Sequence, residues 1–317
     1  MVTYAACYPG QGAQKPGMAL DLYDMSEQVR NLFELASDIC GKDLYALLSN
    51  GDEQQLQQTE NTQLAVTLAN RSATLLLQEH GVHLGCHAGF SLGELSAYAA
   101  ASVISDEELF RIVAERGRLM AKASQTAVGM YGELGMAAVV GIGFDEVSHL
   151  LESVGARNLF CANDNGPKQV VVSGTAGEIA AHTDALKAAG ARRIIPLRVS
   201  GPFHTPFMAE AEAEFANFLS AISFSDPQAP LYANVTGDLV LHGDDVRGLC
   251  SRQLSSPVRW TRIMQSIAEG QGCTRAVEPG PGTVLTGLWR SSGLDVVCKS
   301  VGTYEEIEKL LEERQDG

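Results

Sequence analysis

The chemistry available to this chain concentrates first at Gly89-Phe90-Ser91-Leu92-Gly93, a G-x-S-x-G between an apolar run and a small-residue helix. The flanking glycines permit a strained strand-to-helix turn that lifts the Ser91 hydroxyl to a helix N-terminus, where it can act as a nucleophile. In such a turn the N–H of the next residue, Leu92, points to where an oxyanion would form. The same residues also fit a Gly-rich loop whose serine caps a helix. A serine nucleophile needs a base, and seven histidines are available. His80, His83 and His87 crowd a helix end and its loop ahead of Ser91, where a solvated or structural role is expected. No carboxylate or thiolate of matching spacing turns them into a metal site. His149 and His182 fall on predicted helices and His242 in a polar loop. His204 stands apart, in Val199-Ser-Gly-Pro-Phe-His-Thr-Pro-Phe-Met, where two prolines stiffen a loop fit to hold a base. Ser91 and His204 lie 113 residues apart, so only the fold can join them.

The elements that must do so are legible in outline. Val2 to Pro9 reads as a strand ending in Gly10-Gln-Gly-Ala-Gln, with a helical pattern from Met18. A second strand–turn–helix unit spans His87 to Ser102. From about Gly135 the texture changes to Met136–Ile142 strand, Asp145–Val154 helix, Asn158–Asn163 strand, Gln169–Ser173 strand, Gly177–Ala189 helix and Arg192–Val199 strand. That order, βαββαβ, is the plan of ferredoxin-like domains. The last third carries strands at Leu231–Val235 and Thr274–Glu278 and helices at Val246–Leu254 and Thr261–Ala268. The expected fold class is therefore α/β, a large body (1–128 and 200–317) with a small inserted subdomain (129–199).

Composition narrows the function classes. Of 317 residues, 45% are hydrophobic and 19% charged, enough to bury a sizeable core. The net charge of −15 argues against nucleic acid or an anionic membrane as partner, since both need a cationic surface. The seven cysteines are scattered without a CxxC pair, so neither a disulfide framework nor a zinc site is expected, and a reduced cytoplasmic setting fits. The N-terminus lacks the basic region of a signal peptide. Gly135 to Phe144 is about half of what a membrane span requires. The Gly-rich loop at Gly10 and Gly12 fails as a nucleotide site: Lys15 stands where G-x-G-x-x-G needs glycine, and no G-K-[ST] follows.

Several motifs in order over nearly the whole chain resemble the malonyl-CoA:acyl carrier protein transacylase family, the acyltransferases of fatty-acid and polyketide synthesis. They are Tyr8-Pro-Gly-Gln-Gly-Ala-Gln, Thr62-Gln63, the Ser91 turn with Glu94, Arg116-Gly-Arg-Leu-Met, Asn163-Asp-Asn-Gly-Pro-Lys-Gln-Val-Val-Val-Ser-Gly, Ser200-Gly-Pro-Phe-His, Ser256-Pro-Val-Arg-Trp and Glu278-Pro-Gly-Pro-Gly-Thr-Val-Leu-Thr-Gly-Leu. The resemblance implies a hydrolase-like body with a ferredoxin-like insertion. It implies Ser91 as nucleophile, His204 as base, and the N–H groups of Gln11 and Leu92 as the oxyanion hole. The histidine would be held by a backbone carbonyl of the Pro257-Val-Arg-Trp segment, with no acidic third member; Glu94 is a decoy for that role. Arg116 would grip the malonyl carboxylate in two parallel hydrogen bonds, with Gln63 supporting the pocket. Without the resemblance, Arg116 reads as one more surface cation in the series Arg111, Arg116, Arg118, Lys122. Phe203 would crowd the α-carbon against methylmalonyl, and Asn163 and Asn165 would organise a loop of the insertion. Phe90 departs from the histidine many members carry there; a change in rate or selectivity is expected, not loss of activity.

The implied partners are malonyl-CoA and an acyl carrier protein, with no bound cofactor and no metal. An acidic carrier needs a local basic patch on this acidic chain, and Lys187, Arg192, Arg193, Arg252, Arg259 and Arg262 are its candidates. The competing expectations are an acyl hydrolase of the same fold, a non-catalytic carrier-docking subunit, and the malonyl-transfer subunit of a malonate decarboxylase. Arg116 speaks against the first, because a hydrolase of simple acyl groups has no use for a carboxylate clamp.

Overall fold

Apolar runs shape the first sheet. Thr3–Tyr8 (β1) is buried almost throughout, as a strand covered by helices on both faces must be. In this computed structural model, which describes residues 2–197, 201–270 and 273–315, β1 pairs in parallel with His83–Gly89 (β2). The middle of the chain supplies Leu134–Val140 (β3), Leu159–Gly166 (β4), Gln169–Thr175 (β5) and Arg193–Leu197 (β6). Leu231–Tyr232 (β7), Leu239–Val240 (β8), Arg275–Glu278 (β9) and Val297–Ser300 (β10) complete the strands. The larger sheet runs β10-β9-β1-β2-β7-β8, parallel except where β7 meets β8. β1 and β2 are therefore central, and both end at the site.

The smaller sheet is antiparallel in the order β4-β5-β3-β6. Strand alternation divides its faces. Ala137, Val139, Val170 and Val172 pack against Val147, Leu151 and Leu186 of the helices Phe144–Ser153 and Ala176–Ala188. Met136, Ala138 and Val171 turn the other way, onto the main core and the cavity. The α/β class and the βαββαβ order match the sequence reading, with described boundaries differing by no more than three residues. Val199, assigned to the last strand of that unit, and Ser200 lie outside the described residues. The predicted strand Leu231–Val235 is only two residues long, because from Ala233 the chain turns into the Gly237 loop.

Two helices carry the site's supports. Asp106–Tyr131 starts with a capping box between Ser105 and Glu108. Its buried stripe, Leu109, Phe110, Ile112, Val113, Arg116, Leu119, Met120 and Ala123, has helical spacing with an arginine in the middle. Thr59–Glu79 is buried nearly all round, and its polar side chains fold back onto the preceding turn: Ser72 Oγ donates to the Leu68 carbonyl at 2.8 Å and Thr74 Oγ1 to that of Asn70 at 2.7 Å. Among the described residues no helix is long and apolar enough to cross a membrane.

Candidate active site

β2 ends at Gly89 and a helix begins at Gly93, leaving Ser91 at the corner with φ 50°. The turn is this tight because its backbones touch: a Cβ on Gly89 would lie 2.0 Å from the Gly93 carbonyl carbon, and one on Gly93 2.1 Å from the Tyr8 oxygen. Ser91 N–H donates to Asn234 Oδ1 at 2.7 Å, and Asn234 Nδ2 donates to the Gly89 carbonyl at 2.6 Å, so one amide clamps both sides of the corner.

Ser91 Oγ lies 2.7 Å from His204 Nε2. His204 also has positive φ, 60°, in a loop tied by its own N–H to the Leu254 carbonyl at 3.1 Å. Its Nδ1 is 2.8 Å from the Gln253 carbonyl oxygen. A carbonyl only accepts, so Nδ1 carries the proton and Nε2 faces the Ser91 hydroxyl as an acceptor. Burial, then the nearby Arg116 charge, lowers the imidazole to about 4, which keeps it neutral near pH 7. The holding carbonyl is thus Gln253's, not one of the Pro257–Trp260 segment. That segment is committed elsewhere: the Val258 carbonyl accepts from Asp164 N–H at 2.8 Å and Arg259 N–H donates to the Asn234 carbonyl at 2.8 Å.

Arg116 is no surface cation. It is 1% exposed, whereas Arg111, Arg118 and Lys122 are exposed and paired with Glu107, Glu115 and Glu214. Its Nη1 donates to Gln63 Oε1 and its Nη2 to Gln253 Oε1, each at 2.7 Å, and Nη2 stands 3.4 Å from Ser91 Oγ. Two neutral amides hold the fork, and burial lowers the guanidinium to about 10, leaving it charged at neutral pH. Glu94 does not reach His204. It is fully buried, accepting from Asn234 N–H at 2.9 Å and from Gln253 Nε2. Burial pushes its carboxyl up to about 7 against those hydrogen bonds and Arg116. Gln253 and Asn234 were not singled out from sequence, since neither lies within a chemical motif.

A cavity of about 480 Å³ opens over Ser91 between the two sheets. Gln11, Phe90, Met120, Phe203 and His204 line it from the body, and Met136, Ala138, Asn163, Asn165 and Val171 from the smaller sheet. Asn163 and Asn165 thus sit on the bulged strand β4 facing the cavity, not in a loop: β4 continues past Asn163 because it goes on pairing with β5, Asp164 opposite Val170 and Gly166 opposite Gln169. Phe90 is held edge-on to Trp260, ring centroids 5.5 Å apart. Among the described residues the N–H groups of Gln11 and Leu92 donate to no protein acceptor. His87 lies inside β2, not in a loop: it is buried against Tyr8, whose hydroxyl is 3.1 Å from its Nδ1. No cluster of three or more His, Cys, Asp or Glu among the described residues could hold a metal.

The family model described as the acyl transferase domain matches residues 6–305. The malonyl CoA-acyl carrier protein transacylase of Staphylococcus aureus (strain COL) is 35% identical over 305 residues, 96% of each chain. That of Bacillus subtilis (strain 168) is 33% identical over 314 residues, covering 98% of this chain and 97% of the relative. Among solved structures, the malonyl-transacylase in complex with a holo type II PKS acyl-carrier protein superposes with a TM-score of 0.91 at 35% identity, over 99% of this chain and 100% of that one. The Vibrio cholerae acyl carrier protein S-malonyltransferase gives 0.89 at 32%, over 97% and 99%. With a serine–histidine pair at the strand-to-helix corner and matches along almost its entire length, the chain belongs to the malonyl CoA-acyl carrier protein transacylase family of acyl transferase domains.

Proposed function

We propose that this protein moves a malonyl group from malonyl-CoA to the phosphopantetheine thiol of an acyl carrier protein through a malonyl-Ser91 ester, supplying extender units for fatty-acid or polyketide synthesis. The observation that carries the reading is one hydroxyl, Ser91 Oγ, with a neutral imidazole at 2.7 Å and a guanidinium at 3.4 Å. The first makes the serine a nucleophile and the second places a carboxylate beside it. Ser91 Oγ attacks the thioester carbonyl as its proton passes to His204 Nε2. The oxyanion settles on the N–H groups of Gln11 and Leu92. The C–S bond breaks, and the proton on His204 leaves with the CoA sulfur. The carrier thiol then gives its proton to His204 and attacks the ester, and Ser91 recovers the proton as it departs. Arg116, positioned by Gln63 and Gln253, binds the malonyl carboxylate, a charged hydrogen bond worth about 1.5–3 kcal/mol over an acetyl group. Phe203, walling the cavity beside His204, crowds an α-methyl branch.

No step calls for a metal or bound cofactor, and the setting is cytoplasmic. We place the inserted unit at 129–199 between body segments 1–128 and 200–317, with its first bound in the last turn of the helix Asp106–Tyr131. The carrier docks through local cations. Arg192, Arg193 and Arg252 are exposed and free of ion pairs among the described residues, whereas Lys187 and Arg262 already face acidic partners and Arg259 covers the Phe144 ring. The test is the intact mass of the protein after brief mixing with malonyl-CoA or acetyl-CoA, beside Ser91→Ala. A single malonyl adduct, absent from the variant, weak with acetyl-CoA and discharged by holo-carrier protein, is expected. Free malonate without a lasting adduct would make it a hydrolase, and an inert Ser91 would leave only docking.

A further inference from the structure

Gln253 touches three parts of the site through one side chain. Its Nε2 donates to the Ser91 carbonyl at 3.0 Å and to Glu94 Oε2, while its Oε1 accepts from Arg116 Nη2 at 2.7 Å. A primary amide has two unlike ends, and only one orientation serves all three contacts. Glu94 supplies the acceptor that this orientation requires, and its other oxygen accepts from Asn234 N–H. Glu94 itself is absent from the cavity lining.

We infer that Glu94 is a positioning residue for acid recognition: its carboxylate holds the Gln253 amide in the orientation that aims the Arg116 fork at the Ser91 ester. Choice of a malonyl over an acetyl group then depends on a residue that meets neither. The inference rests on the malonyl reading above and adds to it the device that sets the clamp. Glu94→Gln keeps the shape but turns one acceptor into a donor, which must face either Asn234 N–H or the Gln253 NH2. Asn234 cannot yield, because its side chain is fixed to Ser91 and Gly89. The Gln253 side chain can. The new amide therefore offers its oxygen to Asn234 and its NH2 to Gln253, two donors meet, and Gln253 turns over or swings away. In either case Arg116 Nη2 loses its acceptor, and the fork loses one of its two supports.

The experiment is acylation by malonyl-CoA and by acetyl-CoA, followed by intact mass, for the wild type, Glu94→Gln, Gln253→Met and the double variant. Glu94→Gln should lower the ratio of malonyl to acetyl kcat/KM by about tenfold or more, chiefly through the malonyl KM. Gln253→Met, which also loses the bond to the Ser91 carbonyl, should slow both substrates but malonyl-CoA by the larger factor, and the double variant should lower the malonyl-to-acetyl ratio no further than Gln253→Met alone, since the two act along one relay. Equal slowing with both substrates, or an unchanged ratio, overturns the inference, because a merely structural role would not separate the two. Should Glu94→Gln fail to fold, Glu94→Asp keeps the charge but falls a methylene short of Gln253, and the same split is expected of it. A wild type without malonyl preference would instead overturn the malonyl reading itself.

Discussion

Burying an imidazole beside a guanidinium has one electrostatic outcome, which is to favour the neutral ring. For His204 that lowers the proton affinity from the ordinary 6.5 to about 4. Acylation of Ser91 by acetyl-CoA, whose acyl group has no carboxylate of its own to titrate, should therefore hold its rate from pH 8 down to about pH 5. A midpoint near 6.5 in that rate would show a solvated histidine and sink the assignment. The residues of the site differ in how far the sequence reveals them. Ser91 and His204 are legible because G-x-S-x-G and a proline-braced histidine are rare patterns with chemistry attached. Arg116 is legible in a second way: it occupies the apolar spacing of its helix, where a surface cation would not sit. Gln253 and Asn234 leave no such trace. They meet Ser91 from 162 and 143 residues away, and an amide used as a spacer looks like any other amide.

At the scale of elements, the corner that carries Ser91 depends on β1 and β2 lying side by side while a helix starts between their ends. Gly93 is where that helix touches the Tyr8 carbonyl, so Gly93→Ala drives the two apart. A loss of about 1–3 kcal/mol in denaturant unfolding is expected, the usual cost of overpacking, with adduct formation falling further than stability alone explains. Wild-type acylation in the variant would show that the corner tolerates displacement. The strands of the smaller sheet were readable because β3 and β5 alternate between two apolar faces, and their helices because they keep a wet side. The central helix Thr59–Glu79 was not picked out. Buried on nearly every face and rich in Thr, Asn, Gln and Ser, it presents no apolar stripe to read, and its polarity is absorbed by its own carbonyls and by neighbours such as Pro9, whose carbonyl accepts from Asn70.

For the molecule as a whole, buried titratable groups set the response of stability to acid. His87 and His204 both fall from an ordinary value of 6.5 to about 4 through burial. Below 6.5 the unfolded chain binds protons that these residues refuse until about 4, so their contribution is present above 6.5 and lost as pH falls through that window. Glu94, raised to about 7, runs the other way: its contribution is full below 4.5 and fades as pH rises toward 7. Burial raises Asp164 and Glu278 as well, so they side with Glu94, and the histidines are read out by difference: from pH 6.5 to 4 the thermal midpoint of His204→Gln should fall less, or rise more, than that of the wild type, and an identical change in the two would contradict the burial of that imidazole. The topology has a further consequence, in the order of synthesis. Ser91 leaves the ribosome 113 residues ahead of His204, a delay on the order of 6–20 s at about 5–20 residues per second. The strand that must slot beside β1, Arg275–Glu278, comes later still. A nascent chain therefore carries an unarmed serine, and the ability to take an acyl group appears only when the last third of the protein has been made.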